Sequence, residues 1–406
     1  MGKFIVIVLD SFGVGAMEDV PDVRPADTGS NTAFHILERE PNLNIPNLLE
    51  LGLMNAVGKE VGKYKGSPRA NWGTSNLQHQ GADSFLGHQE IMGTIPPIPL
   101  NQAFNEVIDV VERHLVENGY RVRREGKEGE PQILVVNDCA TVGDNLETDL
   151  GQVYNVSACL DLMPFEEVKQ LGRTVREVVK VSRVITFGGE GIRLENLLGA
   201  RKVKEGTFAG VDAPESGVYD KGYQVIHLGY GIDPNVQIPT ILDKAGVDVA
   251  LIGKVADIVE TSSPHTYPGV DSKGLMEQTV GEAQRMEHGF ICLNIQETDL
   301  AGHGEDVARY ADRLEVCDPY IGELKRMLKD DDVLIVMADH GNDPTIGHSQ
   351  HTRERVPLLV AKPGLQDVKL GNRETMADVA ATAAEYFNVS QPEHGTSFLD
   401  KLIGKA

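Results

Sequence analysis

Asp339 and His340 follow the apolar run Val333-Leu334-Ile335-Val336-Met337, so a carboxylate and an imidazole emerge together where a buried strand should end. That is a site position in open α/β sheets. His351 lies eleven residues after His340, in His351-Thr352-Arg353-Glu354, beyond the turn-forming Gly341-Asn342-Asp343-Pro344 that would bring the chain back to the same crevice. Asp299 and His303 stand four residues apart just past another apolar run, and Asp10 directly follows Ile5-Val6-Ile7-Val8-Leu9, with Gly13 and Gly15 free to turn tightly. Three carboxylates and three imidazoles suffice for two neighbouring divalent ions, and mixed O/N ligation suits Mn²⁺ or Zn²⁺ better than Ca²⁺. Such a pair stabilises both the entering and the leaving oxygen of an in-line phosphoryl displacement.

Each residue alone has an ordinary reading. A strand-end Asp forms Asx-turns or caps helices, and an Asp/His pair arises by chance. Only 12 histidines occur in the chain, yet His340, His348 and His351 crowd one loop, which argues against three satisfied core imidazoles; His348 is the one best read as a plain loop residue. For a nucleophile, Asp83-Ser84 in Gly81-Ala82-Asp83-Ser84-Phe85-Leu86-Gly87-His88 offers a hydroxyl that metal coordination could deprotonate, while the same dipeptide is an ordinary helix N-cap.

The elements that must position these groups are legible as four mostly apolar runs, Phe4 to Leu9, Val247 to Ile252, Phe290 to Ile295 and Val333 to Met337, which read as buried parallel strands. Glu305 to Leu328 has helical spacing and should form a crossover helix, kinked or split at Pro319. After Gly93-Thr94-Ile95-Pro96-Pro97-Ile98-Pro99 the texture turns charged and loop-rich, with a charged tract from Arg121 to Glu130, and the strand pattern returns near Val225. The expectation is an α/β core of residues 1–98 and about 222–406, interrupted by an inserted α+β cap of residues 99–221.

With 406 residues and 41% apolar content the chain can bury a large core plus a smaller one. Its net charge of -23 argues against nucleic acid or an anionic membrane as partner, and reads as solubility before an acidic interaction surface. Four cysteines without a CxxC pair, and an N-terminal apolar run of six residues, too short to export or anchor a chain, point to a reduced cytoplasmic compartment.

These words together resemble the alkaline phosphatase superfamily, and within it the phosphopentomutases most closely. The resemblance is carried by Phe4 to Gly15, Ile45-Pro46-Asn47-Leu48, Gly87-His88-Gln89-Glu90-Ile91-Met92-Gly93, Ile252-Gly253-Lys254-Val255-Ala256-Asp257-Ile258, Ala338-Asp339-His340-Gly341-Asn342-Asp343-Pro344-Thr345, His351-Thr352-Arg353-Glu354 and Val356-Pro357-Leu358-Leu359-Val360. It implies an alkaline-phosphatase-like, mostly parallel sheet core flanked by helices. It also implies two Mn²⁺ ions, with Zn²⁺ or Mg²⁺ as alternatives, one held by Asp10, Asp339 and His340 and the other by Asp299, His303 and His351. Ser84 stands where the family has its phosphorylated threonine, and Lys254 matches an active-site lysine that contacts substrate; a lysine snorkelling from a strand end is the alternative. The implied reaction is phosphoryl transfer on a ribose 1-phosphate/ribose 5-phosphate type of sugar through phosphoserine, primed by a sugar bisphosphate, with the cap excluding water.

Several positions depart from the family pattern. Ala82 and Gln89 replace its lysine and tryptophan, and Asp299 stands one residue closer to His303 than the family spacing. Thr186-Phe187-Gly188 lacks the family's arginine, and Ser157-Ala158-Cys159 lacks its sugar-contacting aspartate. Arg193, Arg201, Lys202 and Lys204 could substitute as phosphate contacts or could be charged surface. The departures keep open a metal-dependent phosphohydrolase or transferase acting on a different phosphorylated or phosphonylated molecule. A binding protein without turnover fits less well, since all the ligand types and the hydroxyl at position 84 are present.

Overall fold

In the computed structural model, residues 2–127, 129–147 and 150–404 are described, so residue 128 of the charged tract lies outside them. The chain divides into a unit of residues 1–96 with 233–406 and a second unit of residues 97–232.

The first unit is built on an eight-stranded sheet. Its strands are β1 (Lys3–Leu9), β2 (Asn71–Ser75), β3 (Asp248–Gly253), β4 (His265–Tyr267), β5 (Gly289–Ile295), β6 (Val333–Met337), β7 (Val356–Ala361) and β8 (Lys369–Arg373), in spatial order β4-β3-β5-β1-β6-β7-β2-β8. Strands β1, β5 and β6 are buried along their whole length, which explains why they are mostly apolar: a parallel strand covered on both faces has no side to leave polar. From β4 to β6 every pairing is parallel, whereas β7 pairs antiparallel with both β6 and β2. Parallel strands deliver their carboxyl ends to one edge, and an antiparallel strand delivers its amino end to that same edge.

Four helices matter for the site: α1 (Ser84–Ile91), α2 (Lys254–Ile258), α3 (Glu297–His303) and α4 (Val307–Met327). Pro319 does not split α4, which runs through it as one helix. Buried Tyr310, Leu314 and Cys317 before the proline and Ile321 and Leu324 after it pin both halves to the core. Asp318 next to it accepts from the backbone amides of Asn47 and Leu48 at 3.1 and 2.8 Å.

The second unit carries a six-stranded sheet in the order 224–229, 183–189, 153–159, 140–144, 133–136, 122–125, in which only 153–159 and 183–189 pair parallel. Helices Phe104–Glu117 and Phe165–Val178 share its apolar core. Strand Gln224–Gly229 pairs antiparallel with Arg183–Gly189, so the run around Val225, expected to begin the return to the core, completes the inserted sheet instead. Among the described residues no helix is long and apolar enough to cross a membrane.

Candidate functional site

The eight residues read in sequence as metal ligands, nucleophile and substrate lysine, Asp10, Ser84, Lys254, Asp299, His303, Asp339, His340 and His351, meet at the edge where β1, β3, β5 and β6 end. Asp10 leaves β1, Lys254 leaves β3 to start α2, Asp299 and His303 lie one turn apart on α3 after β5, and Asp339-His340 follow β6. His351 arrives through the loop that precedes antiparallel β7, and Ser84 through the loop that follows β2.

Two trios of ligand-type atoms result, Asp10 with Asp339 and His340, and Asp299 with His303 and His351, the atoms of each lying within 4.8 Å of one another. The imidazoles are oriented alike. Nδ1 of His340 donates to Gly341 O at 2.9 Å, that of His303 to Ser349 O at 2.7 Å and that of His351 to Ala82 O at 2.7 Å. Each bond to a carbonyl fixes the proton on Nδ1 and turns the Nε2 lone pair into the site, the usual way a ligating histidine is held.

Unless they take up a proton or a metal cation, those nitrogens face other acceptors. His340 Nε2 is 3.5 Å from Asp10 Oδ1 and 3.4 Å from Asp339 Oδ2; His351 Nε2 is 3.2 Å from Asp299 Oδ1 and 3.0 Å from His303 Nε2. Asp10 Oδ1 and His340 Nε2 are buried without a hydrogen-bond partner. Acceptors gathered around acceptors fit a cation. The charges agree: burial, then Asp339 and Asp299, push Asp10 up to about 7, with Lys254 the chief opposing group. Burial pushes His340 down to about 4, leaving it neutral. Burial also opposes ionisation of Asp339 and Asp299, but His340, His88 and Lys254 around the first, and His303, His351 and Lys254 around the second, outweigh it and hold both well below the usual carboxylate range.

Supporting contacts fix the residues that bear the carboxylates. Ser11, at φ 67°, aims its amide at Asp339 Oδ1 at 3.0 Å, and its hydroxyl meets the Tyr310 hydroxyl at 3.0 Å. Thr298 Oγ1 donates to Asp10 O at 2.7 Å, and Asn342 Nδ2 donates to Asp299 Oδ1 at 3.1 Å. Lys254 Nζ lies between the trios, 3.0 Å from Asp10 Oδ2 and 3.8 Å from Asp299 Oδ2.

Ser84 is the first residue of α1, and both readings of Asp83-Ser84 hold at once. Asp83 caps the helix, accepting from Leu86 N at 2.9 Å, while Ser84 Oγ donates to Asp339 Oδ2 at 2.6 Å. One turn on, buried His88 places Nδ1 2.8 Å from Ser84 O and 3.2 Å from Asp339 Oδ2. Asn294 Nδ2 lies 3.0 Å from both His88 Nε2 and Asp10 Oδ2. With Asp10 ionised the carboxylate only accepts, so the amide then faces Asp10 and its second hydrogen serves His88 Nε2. The chain Asp10, Asn294, His88, Asp339 and Ser84 links both strand-end carboxylates to the hydroxyl. Sequence reading gave no role to His88, Asn294, Asn342 or Thr298; their only linear signals are the i, i+4 spacing of His88 from Ser84 and a polar residue at the end of an apolar strand.

Other residues noted in the sequence stand elsewhere. His348 Nε2 is 3.3 Å from Asp27 Oδ1, and Gln89 bridges Ile258 O and the Gln237 side chain at 2.7 and 2.9 Å. In the second unit, Phe187 and Cys159 belong to one buried apolar cluster, Lys202 pairs with Asp212 at 2.8 Å, and Lys204 donates to Leu146 O at 2.6 Å.

Comparison with known proteins adds three findings. A family model described as the metalloenzyme superfamily matches residues 2–391. The chain is 31% identical to the phosphopentomutase of Acetivibrio thermocellus, over 99% of this chain and 100% of that one, and 28% identical to the phosphopentomutase of Clostridioides difficile with the same coverage. A solved structure of Leishmania mexicana phosphoglycerate mutase aligns over 98% of this chain and 97% of that one, with 13% identity and a TM-score of 0.44.

Proposed function

Because the chain belongs to the phosphopentomutase family within the metalloenzyme superfamily, and so is a mutase-type enzyme that uses divalent metal, we propose that it shifts a phosphoryl group within a phosphosugar through phospho-Ser84. The substrate pair in this reading is ribose 1-phosphate and ribose 5-phosphate.

Asp10, Asp339 and His340 would hold one ion and Asp299, His303 and His351 the other. Mn²⁺ suits these donors, with Zn²⁺ or Mg²⁺ as alternatives, and such ions supply positive charge to the oxygens around phosphorus. The chain's own groups do the rest. A substrate hydroxyl oxygen bonds to the phosphorus of phospho-Ser84 while the bond from phosphorus to Ser84 Oγ breaks, giving a sugar bisphosphate. The hydroxyl proton ends on Ser84 Oγ, which then donates to ionised Asp339. After the sugar turns round, Ser84 Oγ takes the other phosphoryl group and the proton leaves on the departing oxygen. A sugar bisphosphate would prime the unphosphorylated serine by the second half of the same cycle. The Lys254 ammonium, 18% exposed, is the cation nearest to hand for a substrate phosphate.

The observation that carries this reading is the 2.6 Å contact of Ser84 Oγ with Asp339, a member of one of two adjoining trios. The test is intact mass and product analysis after incubation with ribose 1-phosphate, a trace of sugar bisphosphate and Mn²⁺. The reading expects one added phosphoryl group on the wild-type chain, none on Ser84→Ala, and ribose 5-phosphate formed only by the former. Turnover by Ser84→Ala would overturn it.

A second reading, a phosphohydrolase or transferase for a different phosphorylated or phosphonylated molecule, draws support from Phe187 and Cys159. Both are buried in an apolar cluster and offer a phosphosugar neither charge nor a strong hydrogen bond. Release of inorganic phosphate without ribose 5-phosphate in the same experiment would select it.

A further inference from the structure

The segment between β2 and α1 delivers Ser84, yet it has no helix or strand of its own. Its backbone groups are instead gathered by two buried charged side chains. Arg353, 6% exposed, commits its whole guanidinium: Nη1 donates to His79 O at 2.8 Å and Gly81 O at 2.7 Å, Nη2 to Leu77 O at 3.0 Å, and Nε to Asp19 Oδ2 at 2.9 Å. Nη2 also pairs with Asp19 Oδ2 at 2.9 Å. Glu90, on the far turn of α1, takes the complementary set. It accepts from Gln78 N at 3.0 Å, His79 N at 3.1 Å and His79 Nδ1 at 2.7 Å, and is anchored by Thr375 Oγ1 at 2.6 Å and Met376 N at 3.0 Å. One residue past this clamp, Ala82 O receives the Nδ1 proton of His351.

We propose that Arg353 and Glu90 are positioning residues for the serine: the guanidinium collects the loop's carbonyls, the carboxylate collects its amides, and the loop is thereby set so that Ser84 Oγ meets Asp339. A planar five-donor fork reaches three carbonyls and the Asp19 carboxylate at once, which the three donors on a single lysine nitrogen do not. Arg353 lies two residues from His351, so the same clamp keeps the nucleophile loop in register with the second trio. This inference rests on the reading of Ser84 as the phosphoryl acceptor.

The test is Arg353→Lys, assayed with ribose 1-phosphate and Mn²⁺, with hydrogen exchange of residues 78–84 followed alongside. Angstrom-scale misplacement of a reacting group predicts a fall in kcat of about a hundredfold. KM should hold, bound Mn²⁺ should stay at the wild-type ratio, and exchange in the loop should quicken. A purely structural arginine would lower the melting temperature and leave kcat per folded molecule unchanged; that result overturns the proposal. If Arg353→Lys does not fold, Asp19→Asn, which weakens the half-exposed outer anchor, must lower kcat several-fold and quicken exchange, and wild-type values for both overturn it. Ser84→Ala keeps the two ideas apart. Turnover by that variant removes the nucleophile, whereas a dead Ser84→Ala beside a fully active Arg353→Lys removes only the clamp.

Discussion

Gly87→Ala should nearly silence the enzyme while barely changing its stability. Gly87 sits in α1 on the side packed against Asp339, and a Cβ there would lie 2.9 Å from Asp339 O and 3.1 Å from Asp339 Cβ, where ordinary contact begins at 3.4 Å. Neither neighbour is a side-chain end that can rotate away, because one is a backbone oxygen and the other a Cβ fixed to the backbone two residues past β6. Helix α1 must therefore back off by about 0.5 Å or more to reach normal contact. Ser84, three residues earlier on the same helix, moves with it, and its 2.6 Å bond to Asp339 lengthens past a good hydrogen bond. Overpacking costs about 1–3 kcal/mol. The gain in helix propensity from glycine to alanine returns about 1 kcal/mol, so urea denaturation should show only a modest loss. If Ser84 Oγ is the reacting oxygen, as proposed, misplacing it on this scale costs up to about a hundredfold in rate. Conversion of ribose 1-phosphate at saturating substrate and Mn²⁺ measures it. Wild-type turnover in a folded Gly87→Ala would refute the claim that the Ser84–Asp339 geometry governs catalysis.

Chelation should lower the melting temperature and added Mn²⁺ should restore it, because three buried carboxylates, Asp10, Asp299 and Asp339, otherwise share Lys254 as their nearest lysine; each ion at a hundredfold excess over its Kd adds about 2.7 kcal/mol, and an unchanged melting curve would count against both trios. His303→Ala, which removes a side chain 43% exposed, should leave folding stability nearly intact but drop bound metal from two ions toward one by elemental analysis, and two ions at undiminished affinity would exclude His303 as a ligand. Burial opposes ionisation of Glu90, but His79, Thr375 and the Gln78 amide outweigh it and depress its carboxyl. That stabilisation is present above the ordinary glutamate range, about 4.3, and is lost as pH falls through the lower folded value. The stability gap between wild type and Glu90→Gln should therefore narrow on acidification below about pH 4, and a constant gap in urea titrations would show that Glu90 is not so held.

The amino-acid sequence by itself determined the strands and what stands at their ends. Val333 to Met337 and Phe4 to Leu9 could be read as buried strands because a strand covered on both faces is apolar along its length, and Asp10, Asp339 and His340, within three residues of their ends, inherit one sheet edge. Covalent adjacency carries that information. What only the tertiary structure decided is everything that depends on partners far apart in the chain. His88 and Asn294 are 206 positions apart, and nothing local says that an asparagine amide will span from Asp10 to an imidazole. Arg353 and the loop carbonyls it gathers are separated by more than 270 positions, so its reach to the serine's loop is invisible until β7 is seen to run antiparallel, with its amino end at the edge where Asp10 and Asp339 emerge. The stretch around Val225 failed for the same reason: its apolar pattern predicts a strand, but which sheet it joins depends on the edge left open by Arg183–Gly189, a property of packing and not of the stretch itself.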